Sequence, residues 1–586
     1  MKAHYVVTID NPEQNVVKIT LQVTRPKDRK NLILFLPSWS PGSYLMREYA
    51  RHLRWIQVQQ SNGEVLAHRQ IAKGQWEVDF ENSQVNSPSE NFEVTYLMYQ
   101  NELTVRTSHI NTSHAFLHGP TYLMGIKGEN LPGPTIEFRF PPLWSKLSTG
   151  LKDISEKRGT FLYTADDYDM LLDSPVEIGC QETDGFMFNG KAHNLAFYGT
   201  TYPHHSNLKE DTLQIVKTVA MHFQNDLPYD DYLFLTHFGP KLRGGLEHHN
   251  SCALQFDGRK LSNRKDYVSY LSLIAHEYFH LWNVKRIRPQ ELGPFDYLNE
   301  NYTSMLWLAE GLTSLMDDLM VYRSGLCTLE EYLEQIRANL DAYFWTPGKK
   351  FHSLEQSSFN AWVKLYRPDE NSKNSSISYY LKGGLVFMAL HSMLLQKGKS
   401  VDHLVDALWA HYKDRPAKGV NKSEFYEILG TLDPEVLGSF STMVETTEDI
   451  DFETCFRQMG CRLEWFESKV PFIGIDWEYQ GDRAFAKMVY LDSPAFKAGI
   501  NPGDEIVFLN GLRFLREDAA DLISIMEVHK PYEVLVARMG KVERVEVIPS
   551  VAPRSLRDIV VVDRARAEES FKYRGKPIPP HIPSKA

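Results

Sequence analysis

The chain opens with short runs in which β-branched and aromatic residues crowd together or alternate with polar ones. HYVVTI, VVKITLQV, NLILFLP, WIQVQQ, FEVTYLMY and TIEFRF follow one another from residue 4 to residue 140, punctuated by Gly, Pro, Asn and Asp. This predicts strands of a sandwich or curved sheet up to about residue 165. PSWSPGSYLMREYARHL (37–53) breaks the pattern with its aromatics and prolines. It reads first as a packed loop with a short helix, and second as a loop that meets a ligand.

From about 170 to 455 the apolar period changes to that of helices, at 211–224, 265–284, 303–323, 328–344, 377–396, 401–413, 422–430 and 434–445. A strand-like DYLFLTHF precedes GGLEHHNSCALQF, so the region reads as a mainly helical domain with a small sheet. The connection 345–376 is long and weakly periodic, which points to a functional or well-packed loop. β patterning returns from about 460 to 549, and the end of the chain, KPIPPHIPSKA, reads as extended. The expected fold class is multidomain α+β. Its parts are a β-rich domain over 1–168, a mainly helical domain over 169–457, a smaller β domain over 458–550 and an extended tail over 551–586.

Composition narrows the function. The 586 residues are 42% hydrophobic and 24% charged, ordinary values for globular chains. A formal charge of −11 argues against a general nucleic-acid binder and against attraction to anionic membranes. Five scattered cysteines without a CxxC pair fit neither a disulfide framework nor a zinc ribbon. No window approaches the roughly 20 apolar residues of a membrane span, and no signal-peptide core precedes the first strand. The expectation is a cytoplasmic protein with no nucleic-acid or membrane partner.

The sharpest chemistry lies in SLIAHEYFHLWNV (272–284). His276 and His280 are four apart, so on a helix they share a face and can reach one zinc ion. Glu277 is the candidate general base. The helix is apolar nearly all round, which predicts burial, and buried histidines with a glutamate need partners. Glu310, in the apolar run SMLWLAEGLTSLMDDL, is the candidate third ligand. Asp317 and Asp318 are alternative acids, better suited to accepting the far N–H of a ligand histidine.

Together these motifs resemble the glycyl aminopeptidases, metallopeptidase family 61 among the gluzincins. The resemblance rests on HEYFHLWNVKRIRP (276–289), WLAEGL (307–312), SSFNAWVKLYRPDENS (357–372), SYYLKGG (378–384) and PSWSPGSY (37–44), in the family's order. It implies an N-terminal β domain, a thermolysin-like zinc peptidase domain and a C-terminal PDZ domain. It also implies removal of N-terminal residues from peptides with a free N-terminus, Gly or Ala favoured. His276, His280 and Glu310 match the ligands of one zinc ion per chain, and Glu277 the general base. Tyr380 resembles the tyrosine that steadies the tetrahedral intermediate, with Tyr379 adjacent and not excluded. GGLEHHN (244–250) resembles the exopeptidase strand whose glutamate holds the substrate amine, a place taken here by Glu247. Gly244 and Gly245 precede it and would allow close approach to a ligand. Leu246 and His248 depart from the better-known GxMEN pattern, and Asn360 and His391 stand where acids are expected.

DSPAFKAGINPGDEIVFLNG (492–511) has the order of a PDZ-like domain, with Phe472-Ile473-Gly474-Ile475 as candidate carboxylate-binding loop. Such a domain would bind a peptide or a C-terminal ligand by strand addition. Two other readings stand beside the zinc aminopeptidase: a zinc endopeptidase on the same scaffold, and an inactive PDZ-bearing peptide-binding protein.

Overall fold

The structure, a computed structural model, describes residues 1–24, 29–80, 91–157, 159–199, 207–574 and 576. The N-terminal part is β-rich. A seven-stranded sheet has Ala3–Thr8 and Val16–Thr24 at its centre, flanked by Asn91–Tyr99 and Thr135–Arg139. In Val16–Thr24 the alternate residues Val17, Ile19, Leu21 and Val23 are buried, while Lys18, Thr20, Gln22 and Thr24 are more exposed. This is the signature of a sheet with one face on a core. Two four-stranded sheets complete this part, and its core runs from Ala3 to Ile178 with Tyr297 joining it.

The middle of the chain holds a five-stranded sheet in the order Glu182–Phe188, Lys191–Gly199, Asp231–Phe238, Ser251–Phe256, Arg243–Glu247. Arg243–Glu247 is thus an edge strand, bonded only to Ser251–Phe256 among the described residues. Helices pack against this sheet and one another around one large core, into which Trp39 and Tyr44 of the N-terminal part also insert. The helix Arg264–Phe279 is buried over most of its surface, as its all-round apolar sequence requires. The connection 345–376 forms three short helical turns, and its Trp362 packs edge-on against Trp39, with ring centroids 5.0 Å apart.

A smaller module with its own core, Ala484 to Val547, carries strands from Ile475–Gln480 to Lys541–Val547. The tail is a correction. Residues 551–586 were expected to be extended, yet Ser555–Val561 is a strand paired with Cys461–Phe466 and Arg564–Phe571 is a helix. Leu556, Ile559, Ala567 and Phe571 join the large central core. The Pro-rich character belongs only to the last residues, and 577–586 lie outside the described residues. No helix among the described residues is long and apolar enough to cross a membrane.

Candidate active site

His276 lies in the last turn of the helix Arg264–Phe279, and His280 caps its C-terminal end. Each ring is held by its Nδ1–H. His276 donates to Asp317 Oδ2 at 2.9 Å, and His280 to the Asn283 carbonyl at 2.7 Å. Both Nε2 lone pairs therefore face inward, 3.0 Å apart. Glu310 Oε2 lies 3.1 Å from His280 Nε2 and 3.6 Å from His276 Nε2.

Glu310 sits in a π-helical turn, Trp307–Gly311, that opens the helix Leu312–Arg323. Such turns recur at functional sites. Asn283 braces it by donating from Nδ2 to the carbonyls of Leu308 and Ala309 and to Thr313 Oγ1, at 2.9 to 3.0 Å. Gly311 and Gly383 face each other across a helix crossing, where a β-carbon on either would come within 3 Å of the other's backbone. The glycines of WLAEGL and SYYLKGG thus let the Glu310 turn and the helix after Tyr380 approach closely.

The donor set fits zinc. Two imidazole lone pairs and a carboxylate oxygen converge, and Glu310 Oε2 is buried with no hydrogen-bond donor. A converging set of this kind, with a buried carboxylate oxygen free of donors, suits a cation. Burial works against the charge on Glu310, but His280 and His276 outweigh it and hold its pKa low.

Glu277 lies beside this trio, with an oxygen within 4.8 Å of a ligand nitrogen of His280. Its Oε2 is buried without a partner. Burial pushes its pKa up, against the opposing pull of His276 and His280. Glu247, at the end of the edge strand, offers an oxygen within 4.8 Å of ligand atoms of both Glu277 and His280. The predicted approach of Gly244 and Gly245 to a ligand takes a different form for Gly245. A β-carbon there would fall 1.9 Å from Glu277 Oε1, so the neighbour that requires glycine is the glutamate. Gly244 faces Val105 and Arg106 at ordinary contact distance.

Tyr380 lies beside His276, with ring centroids 6.4 Å apart, and its hydroxyl is 3.5 Å from that of Tyr366. Burial and Glu310 hold its pKa well above 10, so it stays a donor. Tyr379 stacks on Tyr380, its hydroxyl buried without a hydrogen-bond partner. Asn360 caps a short helix, and His391 bonds to the Ser570 carbonyl. Neither joins the trio.

Three participants escape a reading by motif alone. Gly42, with φ +80°, packs so that a β-carbon would sit 2.6 Å from Glu247 Oε1. Tyr366, inside the quoted 357–372 motif, accompanies Tyr380. Arg106, from a loop of unremarkable composition, donates from Nη2 to the Gly245 carbonyl at 3.2 Å. A second His/Glu group, His114, Glu177 and His237, is also buried. There each Glu177 oxygen already accepts from a different histidine, at 2.8 and 2.9 Å, so the carboxylate is paired within a polar network between the N-terminal and central sheets.

This geometry, two histidines and a carboxylate beside a spare glutamate at a sheet edge, belongs to the peptide-bond hydrolases built on HExxH. Comparison with known proteins agrees. The M61 glycyl aminopeptidase profile matches residues 269–386, and that of the peptidase M61 N-terminal domain matches residues 4–180. The chain belongs to the M61 glycyl aminopeptidase family and is a peptidase. No curated protein sequence matches it. Among solved structures, an aminopeptidase N family protein from Idiomarina loihiensis shares the fold at 24% identity and TM-score 0.89, over 97% of this chain and all of that one. An M1 zinc metallopeptidase from Deinococcus radiodurans aligns at 14% identity and TM-score 0.49, over 77% of this chain and 94% of that one. A yeast LTA4 hydrolase aligns at 14% identity and TM-score 0.44, over 78% and 67%.

Proposed function

We propose that the protein is a zinc aminopeptidase that removes single residues, Gly or Ala preferred, from the free N-terminus of peptides. His276, His280 and Glu310 would hold the ion. When bound, zinc supplies the Lewis acidity that polarises a scissile carbonyl and acidifies water. Glu277 takes the proton of the attacking water and passes it to the leaving amine. Tyr380 O–H donates to the developing oxyanion. Glu247 accepts charge-assisted hydrogen bonds from the substrate ammonium.

The observation that carries the exopeptidase reading is the place of Glu247. It is a third carboxylate within 4.8 Å of ligand atoms of Glu277 and His280, and a cation is the partner that relieves the repulsion of such close carboxylates. An ammonium held at that distance leaves room for about one residue before the reacting centre. The preference for Gly or Ala rests on family membership. The module over 475–547 is read as PDZ-like. Its strand Ile475–Gln480 ends the sheet order and so has an open edge that a peptide strand would extend.

The test compares kcat/KM for one peptide with a free and an acetylated N-terminus, using zinc-replete enzyme and Glu247→Ala. The free peptide should be cleaved far better by the wild type, and the variant should lose that preference while keeping zinc. Equal cleavage of both peptides by the wild type would give the endopeptidase reading. No cleavage of either would give the inactive peptide-binding one.

A further inference from the structure

Arg106 is held more firmly than its loop would suggest. Its backbone N–H donates to Thr104 Oγ1 at 3.1 Å, and its carbonyl accepts from the Tyr49 hydroxyl at 2.8 Å. The preceding Val105 is buried with Phe116, Leu233, Leu235, Leu246 and Ala253 between the N-terminal part and the central sheet. The guanidinium then reaches Gly245 through Nη2, while its Nε is buried with no acceptor. Burial disfavours its charge, but Tyr366, Tyr380, Glu277 and Glu247 outweigh that and hold its pKa above the ordinary value. Arg47 is close enough to feel this charge; it donates to Ser43 Oγ at 3.1 Å and its Nε is likewise buried without an acceptor. Each cation raises the cost of the other's charge.

The edge strand sets a ruler. The bond from His248 N to the Ser251 carbonyl fixes the alternation, so that Gly245 and Glu247 turn their backbone groups to the open edge. These two residues are about 6.6 Å apart along a strand. A dipeptide spans at most about 7 Å. With its ammonium at Glu247, an extended dipeptide brings its terminal carboxylate level with Gly245, where Arg106 waits. Arg106 also occupies the Gly245 carbonyl, which a longer peptide would need to continue a ladder.

We propose that Arg106 receives the terminal carboxylate of a dipeptide whose amine is held by Glu247, so that the preferred substrates are dipeptides with a free C-terminus. This rests on the aminopeptidase reading above. Arg106 is a positioning group for substrate on this account, and its loss should appear in KM more than in kcat.

The experiment measures kcat and KM of zinc-replete wild type, Arg106→Gln and Arg106→Lys on three substrates: alanyl-alanine, its C-terminal amide, and alanine p-nitroanilide. The wild type should favour the free acid over the amide by about tenfold or more, the worth of one charge-assisted hydrogen bond. Arg106→Gln should bring that ratio close to one, mainly by raising KM for the acid, and Arg106→Lys should keep part of it. A wild-type acid-to-amide ratio near one overturns the assignment, and so does an unchanged ratio in a folded Arg106→Gln. Should that variant fail to fold, the wild-type ratio decides alone. Failure of the wild type on the anilide as well as on both dipeptides would instead overturn the aminopeptidase reading beneath it.

Discussion

A β-carbon on Gly245 would lie 1.9 Å from Oε1 of Glu277. The edge strand and the helix that carries Glu277 therefore meet without room for one methyl group. Gly245→Ala should move Glu277, the strand or both by more than an ångström. A shift of that size is enough to cost about 100-fold in rate. Zinc should remain bound, because neither His276, His280 nor Glu310 touches Gly245 in this way. Metal content and kcat/KM measured on the same preparation check it, and a variant within a few-fold of wild type would show that the contact relaxes cheaply.

Glu277→Gln tests the base directly. The amide keeps the shape but cannot accept a proton. Zinc should stay, and turnover should fall by orders of magnitude. Retention of turnover within about tenfold, or about 1.4 kcal/mol, would sink the role. Tyr380→Phe should cost roughly 10²-fold or more in kcat if its hydroxyl serves the oxyanion. Tyr379→Phe should cost far less, because it is the Tyr380 ring that lies against His276. Equal losses would reopen the choice between them.

Asp317 fixes the imidazole of His276 from behind, at 2.9 Å. Removing such a partner typically weakens metal binding by about 10- to 100-fold. Asp317→Ala should therefore release zinc to a competing chelator at a lower chelator concentration than wild type does. Identical zinc affinity would mean that the Asn283 and Glu310 contacts suffice to hold the cluster.

Much of this site is legible in the chain because it is local. His276 and His280 need only helical spacing, and Glu310 betrays itself as an acid in an apolar run. The helical spans are legible for the same reason, since their apolar period answers to one buried face or to burial all round. What is not legible depends on distant partners. The glycine at 245 is required by a side chain that arrives from the helix Arg264–Phe279, and Arg106 comes from an irregular TVRTS loop that no periodicity marks. The π-helical turn at Glu310 has no pattern of its own and is stabilised by Asn283. The tail misleads because the prolines of its last residues outweigh SLRDIVV, a strand whose partner lies some ninety residues earlier.

That misreading bears on truncation. Cutting the chain at about 460 removes the strand Ser555–Val561 and the helix Arg564–Phe571 along with the small module. Leu556, Ile559 and Phe571 are buried in the central core, and burying such a side chain is worth about 1.5–3 kcal/mol. Arg323 would also lose its bond to the Phe571 carbonyl. The truncated protein should be insoluble or strongly destabilised. Excising 469–552 and closing the gap with a short turn should leave it soluble and able to bind zinc, because Phe466 and Ser555 are already paired neighbours. An excised protein that fails as badly as the truncated one would show that the module is integral to the catalytic unit.

Arg323 also predicts how stability depends on pH. It is buried beside Asp402, which it contacts at 2.7 Å, and it donates to His222 Nε2 at 2.6 Å. His222 must then be neutral, with its proton on Nδ1 donated to the Thr218 carbonyl at 2.7 Å. Burial, with Arg323 adding to it, pulls the His222 pKa down to about 3, against 6.5 for an ordinary histidine. Between those values the unfolded chain binds the proton and the folded one does not. Stability should therefore be full above about pH 6.5 and fall as the pH drops toward 3, by up to about 1.4 kcal/mol per pH unit from this residue. His193 and His249, with pKa values lowered to about 4 chiefly by burial, act in the same direction. Glu277 and Asp318, pushed up to about 7 chiefly by burial, act in the opposite direction, so the His222 share is read by difference, from denaturant unfolding of wild type and His222→Gln at intervals from pH 7.5 to pH 5. His222→Gln, whose side-chain oxygen still accepts from Arg323, should flatten the slope by one proton's share even if it lowers stability at neutral pH. An unchanged slope in that variant would mean that His222 is protonated in the folded protein, contrary to its bonds with Arg323 and Thr218.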